Sequence, residues 1–314
     1  MEAQGMKRIP VVLALTPNYF VAAATCLLSI FRHAAVQSSF HIICLMAEQL
    51  SAEQQADLQR LSKTNAKYTF LNLEGQFSDV FPAGNYPMAT MLRLLIPDLL
   101  PQYDKIFYLD CDLIVRHDLE KLYLKTDLGD NYLAGVKEAP LSFQWAHLRE
   151  IAAEAAYINA GFLLMNLKAL RQDNIVLKFF ELAQKGGLEF FDQDILNIVC
   201  KGRILFLPPY HNSIRTFFLP QYKAEFLNCY TEKEYQAVLR NGTLHYTGAK
   251  PWNTFTVHFK TWWQYYETLP AKIRGYGQVN PKMQLLYRFY ANPAGETMIN
   301  VAQSIFRKLK SGSL

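Results

Sequence analysis

Two aspartates, Asp110 and Asp112, close the apolar run Ile106-Phe107-Tyr108-Leu109. Such a run reads as a β-strand buried on both faces. Residues i and i+2 of a strand point the same way, so the two carboxylates are expected to project together, with Cys111 on the opposite side. Side by side they repel, and a divalent cation relieves both the repulsion and the demand for solvation. Ligands of open parallel sheets bind beyond the carboxyl ends of strands, where Asp110 falls. A hard cation held by one or two carboxylates commonly completes its shell with substrate phosphates. The plain alternative is a pair of solvated acids at a strand end, because short motifs carry many false positives.

Three further segments carry chemistry-bearing residues. "HYTGAKPWN" (245–253) puts His245, Gly248 and Lys250 in a short loop after a strand. Imidazole ligates metals, glycine admits close backbone approach and lysine meets phosphate as a point charge; alone, the segment reads as an ordinary polar loop. "YINAGFLLMNLK" (157–168) opens an apolar strand with Asn159 and Gly161, alone a strand with a bulge glycine. "FFDQDILN" (190–197) opens a helix with Asp192, Gln193 and Asp194. Acids are favourable at a helix start for capping alone, so one of these aspartates is expected to serve only that purpose. His33, His41, His117, His147, His211 and His258 form no cluster in sequence and receive no role.

These residues need a scaffold. The chain of 314 residues suffices for one large α/β domain with additions or two modest domains. Apolar patterning predicts strands over 9–15, 40–46 and 67–73 and helices over 19–32 and 51–63, the second opened by a Ser51–Gln54 capping box. That alternation is the rhythm of a parallel sheet covered on both faces. A helix over 88–100 leads into the 105–109 strand; strands over 132–136 and 160–167, helices over 168–185 and 192–200, and late strands over 203–208 and 242–247 follow. Lys7 and Arg8 before "IPVVLAL" have the shape of a signal peptide, but Thr16-Pro17-Asn18 breaks the apolar run, so strand, turn and helix is the better reading. No apolar stretch reaches the roughly 18 residues of a membrane-spanning helix. Five scattered cysteines with no C-x-x-C pair argue against a disulfide framework or structural zinc and favour a reducing, cytoplasmic compartment. Net charge is +5, and residues 272–314 hold seven basic residues and one acid, so a basic tail follows a nearly neutral body. Pro and Gly near 270–281 mark the expected boundary between a catalytic domain (1–270) and a partly helical tail (271–314). "SIFRKLK" (304–310) would place Ile305 and Leu309 on one helix face beside cations, suited to peripheral contact with the inner face of a membrane or to packing on the body.

Taken together, "ALTPNY", "ATMLRLLIPDLL", "YLDCDLIV", "INAGFLLMNL", "DQDILN" and "HYTGAKPWN" occur in consistent order from about residue 9 to about residue 268. In that combination the chain resembles the retaining glycosyltransferases of family eight, which include bacterial lipopolysaccharide galactosyl- and glucosyltransferases and, more distantly, glycogenin.

The resemblance implies a Rossmann-like nucleotide-sugar-binding domain of GT-A type with a helical C-terminal extension. It implies a UDP-hexose donor, a saccharide or glycolipid acceptor, and Mn²⁺ as cofactor, with Mg²⁺ an alternative, held by Asp110, Asp112 and His245. A mixed carboxylate and imidazole set also suits Mn²⁺ better than Mg²⁺ on chemical grounds. By resemblance Gly248 and Lys250 contact the diphosphate, and Ala14, Thr16, Asn18 and Tyr19 hold uridine, with Tyr19 stacking on the base. Arg93, Asn159, Ala160, Asp192 and Gln193 surround the donor sugar, with Asp110 and Cys111 as further donor contacts. Gln193 and Asp192 are the implied catalytic pair, Gln193 lying on the β face of the reacting carbon. Two departures stand out: H-x-x-G-x-K is one residue shorter than the family's frequent H-x-x-G-x-x-K, and Thr16 replaces an aspartate of the galactosyltransferases. The implied function is transfer of glucose or galactose with retention, in lipopolysaccharide or cell-surface polysaccharide synthesis. A catalytically silent sugar-nucleotide-binding partner is the alternative. A nucleotidyltransferase lacks support, since no glycine-rich basic signature follows the first strand, and no nucleic-acid partner is expected.

Overall fold

A computed structural model describes residues 8–62, 66–77, 87–141, 144, 147, 157–277 and 279–311, without the side chains of 303, 304 and 306–311. Its centre is a seven-stranded sheet in the order β3-β2-β1-β4-β7-β6-β8. The strands are β1 (Ile9–Leu15), β2 (Phe40–Met46), β3 (Ala66–Asn72), β4 (Lys105–Leu109), β6 (Leu133–Lys137), β7 (Ile158–Asn166) and β8 (Ile204–Phe206). Parallel pairs join β1 to β2 and β4, β2 to β3, and β6 to β8. β7 runs antiparallel to both neighbours, β4 and β6. The parallel pairing expected from the first three strands is present, and the sheet is mixed because β7 alone reverses. A three-stranded sheet of β5 (Leu113–Ile114), β10 (Leu244–His245) and β9 (Ser213–Ile214) flanks it.

Strand alternation divides the core in two. Val11, Leu13, Phe107 and Leu109 enter one layer with α1 (Phe20–His33) and α10 (Phe259–Glu267). Val12, Ile106 and Tyr108 enter the other with α3 (Met88–Leu99), α5 (Leu167–Gln172), α6 (Ile175–Lys185) and α7 (Phe191–Val199). Burial on both faces explains why these strands read as unbroken apolar runs.

Most predicted elements appear within two residues of their expected ends. The Ser51–Gln54 capping box opens α2 (Ala52–Arg60), and Pro17–Tyr19 form a 3₁₀ turn between β1 and α1. The helix expected over 168–185 is two helices, because Asn174 sits in the left-handed region at φ 51°, a conformation that asparagine tolerates. α4 (Leu119–Lys125), α8 (Lys223–Cys229) and α9 (Glu232–Asn241) fill the connections, and α11 (Ala271–Gly275), α12 (Pro281–Ala291) and α13 (Pro293–Ser311) make up the C-terminal extension. The cysteines are free. Among the described residues, no helix is long and apolar enough to cross a membrane.

Candidate active site

Strand order reverses between β1 and β4, and crevices at such switch points are where open α/β sheets bind ligands. The chain leaves β4 at Leu109 and turns through Asp110, Cys111 and Asp112 before re-entering a sheet as β5. The aspartates share a side because of that turn, not because of strand alternation. The Cys111 thiol donates to Ala14 O at 3.3 Å. β10 pairs His245 with Leu113 and so sets the imidazole over the turn. His245 Nε2 lies 3.8 Å from Asp110 Oδ2 and 3.3 Å from Asp112 Oδ1. Among the described residues, Asp110, Asp112 and His245 form one group whose potential ligand atoms lie within 4.8 Å of one another. Gly161 makes room for it. Its carbonyl accepts from Asp110 N–H at 2.8 Å, and a Cβ there would collide with His245 Cε1 and Asp110 Oδ2. β7 stays in register with β4 at this end, so Gly161 serves close approach rather than a bulge. Two carboxylates and an imidazole converging over a glycine form a donor set that fits a divalent cation such as Mn²⁺.

The charges differ from the sequence reading. The carboxylates were expected to depend on a cation for relief, yet the chain supplies two of its own. Lys250 Nζ contacts Asp112 Oδ2 and donates to Tyr246 O at 2.8 Å. Burial works against the Asp112 charge, but Lys250 and His245 overcome it and hold the carboxyl well below the usual range. Gly248, in the left-handed region at φ 73°, shapes the shortened loop that returns Lys250 to this position. Arg93, on α3, is almost fully buried. Its Nη2 donates to Asp110 Oδ1 at 3.0 Å, its Nη1 to Ala160 O at 2.6 Å, and its Nε lies 3.0 Å from Asp192 Oδ2. Burial penalises its charge, and the two carboxylates more than offset this.

α7 delivers two further acids, Asp192 and Asp194. Asp194 is fully buried and accepts from Tyr157 Oη at 2.5 Å, with Glu189 N and Phe190 N each donating to it at 2.9 Å and His147 Nε2 at 3.0 Å. It is the aspartate that secures the helix start. Asp192 faces the cleft, where burial and the nearby Asp110 outweigh Arg93 and push its carboxyl up to about 6. Gln193 Oε1 accepts from Ala160 N at 2.9 Å and Asn159 Nδ2 at 3.1 Å, while its Nε2 donates to Glu138 Oε1 at 3.2 Å. Both lone pairs of that oxygen are engaged, so charge stabilisation by it requires a change of partners.

The cleft is two joined cavities. One, about 210 Å³, is lined by Ala14, Thr16, Tyr19, Cys111 and Asp112 among others; the second, about 390 Å³, by Asn159, Asp192, Gln193, His245 and Gly248. Arg93, Asp110, Asp112 and Lys250 line both. Tyr19 packs edge-on against Trp252 at 5.9 Å. Asn18 is not brought to the cleft; it lines a small crevice with Val21 and Trp252. A larger cavity of about 700 Å³ lies at the amino ends of the same strands, beside Arg8, His41 and Lys67, far from the paired carboxylates. Two polar residues behind the cleft escaped the sequence reading, half-buried Glu138 and fully buried Asn212. Glu138 offered the same signal as Asp110, an acid just past a buried strand; Asn212, in "YHNSI", offered none.

The family model described as glycosyl transferase family 8 matches residues 10–256, a span that contains every candidate site residue. The chain belongs to that family. Among its relatives, glycosyltransferase GlyE of Streptococcus pneumoniae is 32% identical over 183 residues, covering 56% of this chain and 40% of GlyE. Lipopolysaccharide 1,2-glucosyltransferase of Escherichia coli K12 is 30% identical over 162 residues, covering 49% of this chain and 46% of the relative. The chain thus spans about half the length of the curated relatives it matches. Among solved structures, galactosyltransferase LgtC in complex with donor and acceptor sugar analogues superposes with a TM-score of 0.70 at 25% identity, covering 85% of this chain and all of LgtC. The mixed α/β architecture with C-terminal helices is thus that of a family 8, GT-A-type fold.

Proposed function

We propose that this protein transfers a hexose, glucose or galactose, from a UDP-sugar to a carbohydrate or glycolipid acceptor with retention of the α-configuration, using Mn²⁺. The observation that carries the reading is the convergence of Asp110, Asp112 and His245 on one point at the switch of strand order, inside a cleft that also holds the buried Arg93 and the half-buried Lys250. Relatives named as lipopolysaccharide glucosyl- and galactosyltransferases support cell-surface polysaccharide or lipopolysaccharide synthesis as the setting, and the free cysteines favour a reducing, cytoplasmic side.

In this reading Asp110, Asp112 and His245 hold the cation, which when bound neutralises charge on the departing diphosphate. Lys250 is near enough to the same point to exchange Asp112 for a phosphate oxygen. Ala14, Thr16, Tyr19 and Cys111 line the uridine end, and Asn159, Ala160, Asp192 and Gln193 the sugar end. Gln193 is an amide, which takes up no proton at neutral pH, so the attacking hydroxyl has no strong base on that face. That favours attack from the side the diphosphate leaves, hence retention. Arg93 orients Asp192 from within the core. The C-terminal helices serve as a peripheral contact with anionic membrane, through the exposed apolar side chains Leu285, Phe289, Met298, Val301 and Ile305.

The test is a panel of UDP-hexoses incubated with Mn²⁺ with and without saccharide acceptors, scoring released UDP and product anomer by proton NMR. UDP release from glucose or galactose donors and an α-linked product are expected. Tight UDP binding with no turnover on any donor would instead identify a silent partner subunit, pyrophosphate release a nucleotidyltransferase, and a β-linked product would overturn retention.

A further inference from the structure

The imidazole of His245 can ligate through Nε2 only if its hydrogen sits on Nδ1. The structure assigns that choice through side chains whose orientation a backbone group dictates. Gly161 N–H donates to Asn159 Oδ1 at 3.0 Å, and a backbone N–H can only donate. The oxygen of Asn159 must therefore be the atom facing it. That same oxygen receives Asn212 Nδ2 at 2.9 Å. The other end of the Asn212 amide, its Oδ1, then faces His245 Nδ1 at 2.9 Å. An amide oxygen only accepts, so Nδ1 carries a hydrogen in either charge state, and the neutral imidazole has its Nε2 lone pair toward Asp110 and Asp112. At the far end Asn159 Nδ2 donates to Glu138 Oε1 at 2.9 Å, which pins the same orientation a second time.

We propose that Asn212 is a positioning residue that fixes the His245 tautomer required for cation binding. It lies outside the cleft lining, is fully buried, and touches no donor atom of the cation site except through the imidazole. The chain of amides runs on to Gln193, whose oxygen shares Asn159 Nδ2, so the metal side and the sugar side of the cleft hang on one hydrogen-bonded row anchored at Glu138. Outer partners of a ligating histidine fix its tautomer and typically change metal affinity when removed. The inference rests on reading Asp110, Asp112 and His245 as the cation site.

The experiment uses full-length metal-free protein with ¹⁵N-labelled histidine in mildly alkaline buffer, the His245 signals being assigned by comparison with His245→Gln. Two-bond ¹H–¹⁵N correlations report which ring nitrogen carries hydrogen, and free Mn²⁺ measured by electron paramagnetic resonance reports affinity. The wild type is expected as the Nδ1–H tautomer. Asn212→Ala is expected to shift His245 to Nε2–H and to weaken Mn²⁺ binding about 10- to 100-fold. Asn212→Asp keeps an acceptor against Nδ1 while giving up the donor to Asn159 Oδ1, and is expected to keep the wild-type tautomer. A wild-type hydrogen on Nε2, or an alanine variant with unchanged tautomer and affinity, overturns the proposal. If the alanine variant fails to fold, the wild-type tautomer and its retention in Asn212→Asp decide. Absence of Mn²⁺ binding by the wild type, with the tautomer still shifting in Asn212→Ala, would sink the cation reading and leave the positioning role supported.

Discussion

Asp110 and Asp112 look equivalent in sequence, but the structure gives them different partners, and this changes what their removal should do. Asp112 is buried against Lys250, whose own side chain is only 20% exposed. Asparagine at 112 leaves that ammonium with a backbone carbonyl and only the more distant Asp110 as counter-charge, and breaking a buried pair from one side costs about 3 kcal/mol or more. Asp110 is held by Arg93, which keeps Asp192 and two carbonyl acceptors when Asp110 is neutralised. Repulsion between the two carboxylates alone would predict that either asparagine variant is neutral or stabilising without metal. The ion pairs reverse this: Asp112→Asn should unfold at clearly lower urea than wild type, and Asp110→Asn close to wild type. Both should lose Mn²⁺-dependent turnover by more than about 100-fold, beyond what loss of an outer hydrogen-bond partner costs. Paired urea titrations in chelator and activity assays check the order; equal stability of the two variants would refute the assignment of Lys250. The aspartates, His245 and Lys250 were legible because their chemistry sits in short local patterns. The ion pairs that Arg93 and Lys250 make with the aspartates and the amide row were not, because Arg93, Glu138 and Asn212 arrive from helix, strand end and loop far apart in sequence and meet the site only after folding.

At the scale of elements, the reversed strand β7 is what brings Asn159, Ala160 and Gly161 to the switch point: an antiparallel β7 begins beside the carboxyl end of β4, where a parallel one would have ended there. Sequence pattern cannot distinguish the two directions, because a strand buried on both faces reads the same either way. The small sheet that carries His245 shows a comparable gap. Its strands are two residues long and are stapled by side chains: His117 Nε2 meets His211 Nδ1 at 2.9 Å, and His117 Nδ1 meets Thr243 Oγ1 at 3.1 Å. Two of the six histidines given no role by sequence, His117 and His211, thus hold β5, β9 and β10 together. Burial is the main cause that depresses both imidazoles, each lowered further by a neighbouring histidine, so the folded state keeps them neutral where the unfolded chain protonates them. With more protons bound in the unfolded state, stability must fall as pH drops below the ordinary histidine value near 6.5. The slope is about 1.4 kcal/mol per pH unit for each imidazole that titrates only on unfolding. Denaturant midpoints measured from pH 7 down to pH 5 should show this loss, and His117→Gln together with His211→Gln should flatten it even if the variant is less stable at pH 7. An unchanged slope would mean that the pair does not stay neutral in the folded protein.

Across the whole molecule, charge and apolar surface are concentrated at the C-terminal end. Met283, Leu286, Tyr287 and Tyr290 of α12 pack against the body, with Tyr287 stacked on Trp263 at 5.7 Å. The opposite face leaves Leu285 and Phe289 exposed, four residues apart. α13 exposes Met298, Val301 and Ile305, spaced as one stripe along a helix. The sequence suggested either packing on the body or membrane contact; α12 packs on the body with one face and α13 is tied to it by Lys260 Nζ–Glu296 Oε2 at 2.8 Å, while Leu285, Phe289, Met298, Val301 and Ile305 stay exposed. The cations Arg307, Lys308 and Lys310 follow on α13, though their side chains lie outside the described ones. An apolar stripe with cations beyond it suits an anionic lipid surface. Each cation near such a surface contributes about 1 kcal/mol, so replacing the three by glutamine should weaken binding to anionic vesicles by on the order of 100-fold at low salt. The apolar stripe does not depend on salt in that way, so deletion of 293–314 should remove more binding than the glutamine variant, and the difference should persist at high salt. The deletion spares Tyr287 and its stacking on Trp263, so UDP-hexose hydrolysis should be unaffected. Vesicle co-sedimentation with anionic and zwitterionic lipid decides it: a full-length chain that ignores anionic vesicles at low salt, or a deletion that abolishes hydrolysis, would assign these helices to the catalytic body rather than to a membrane.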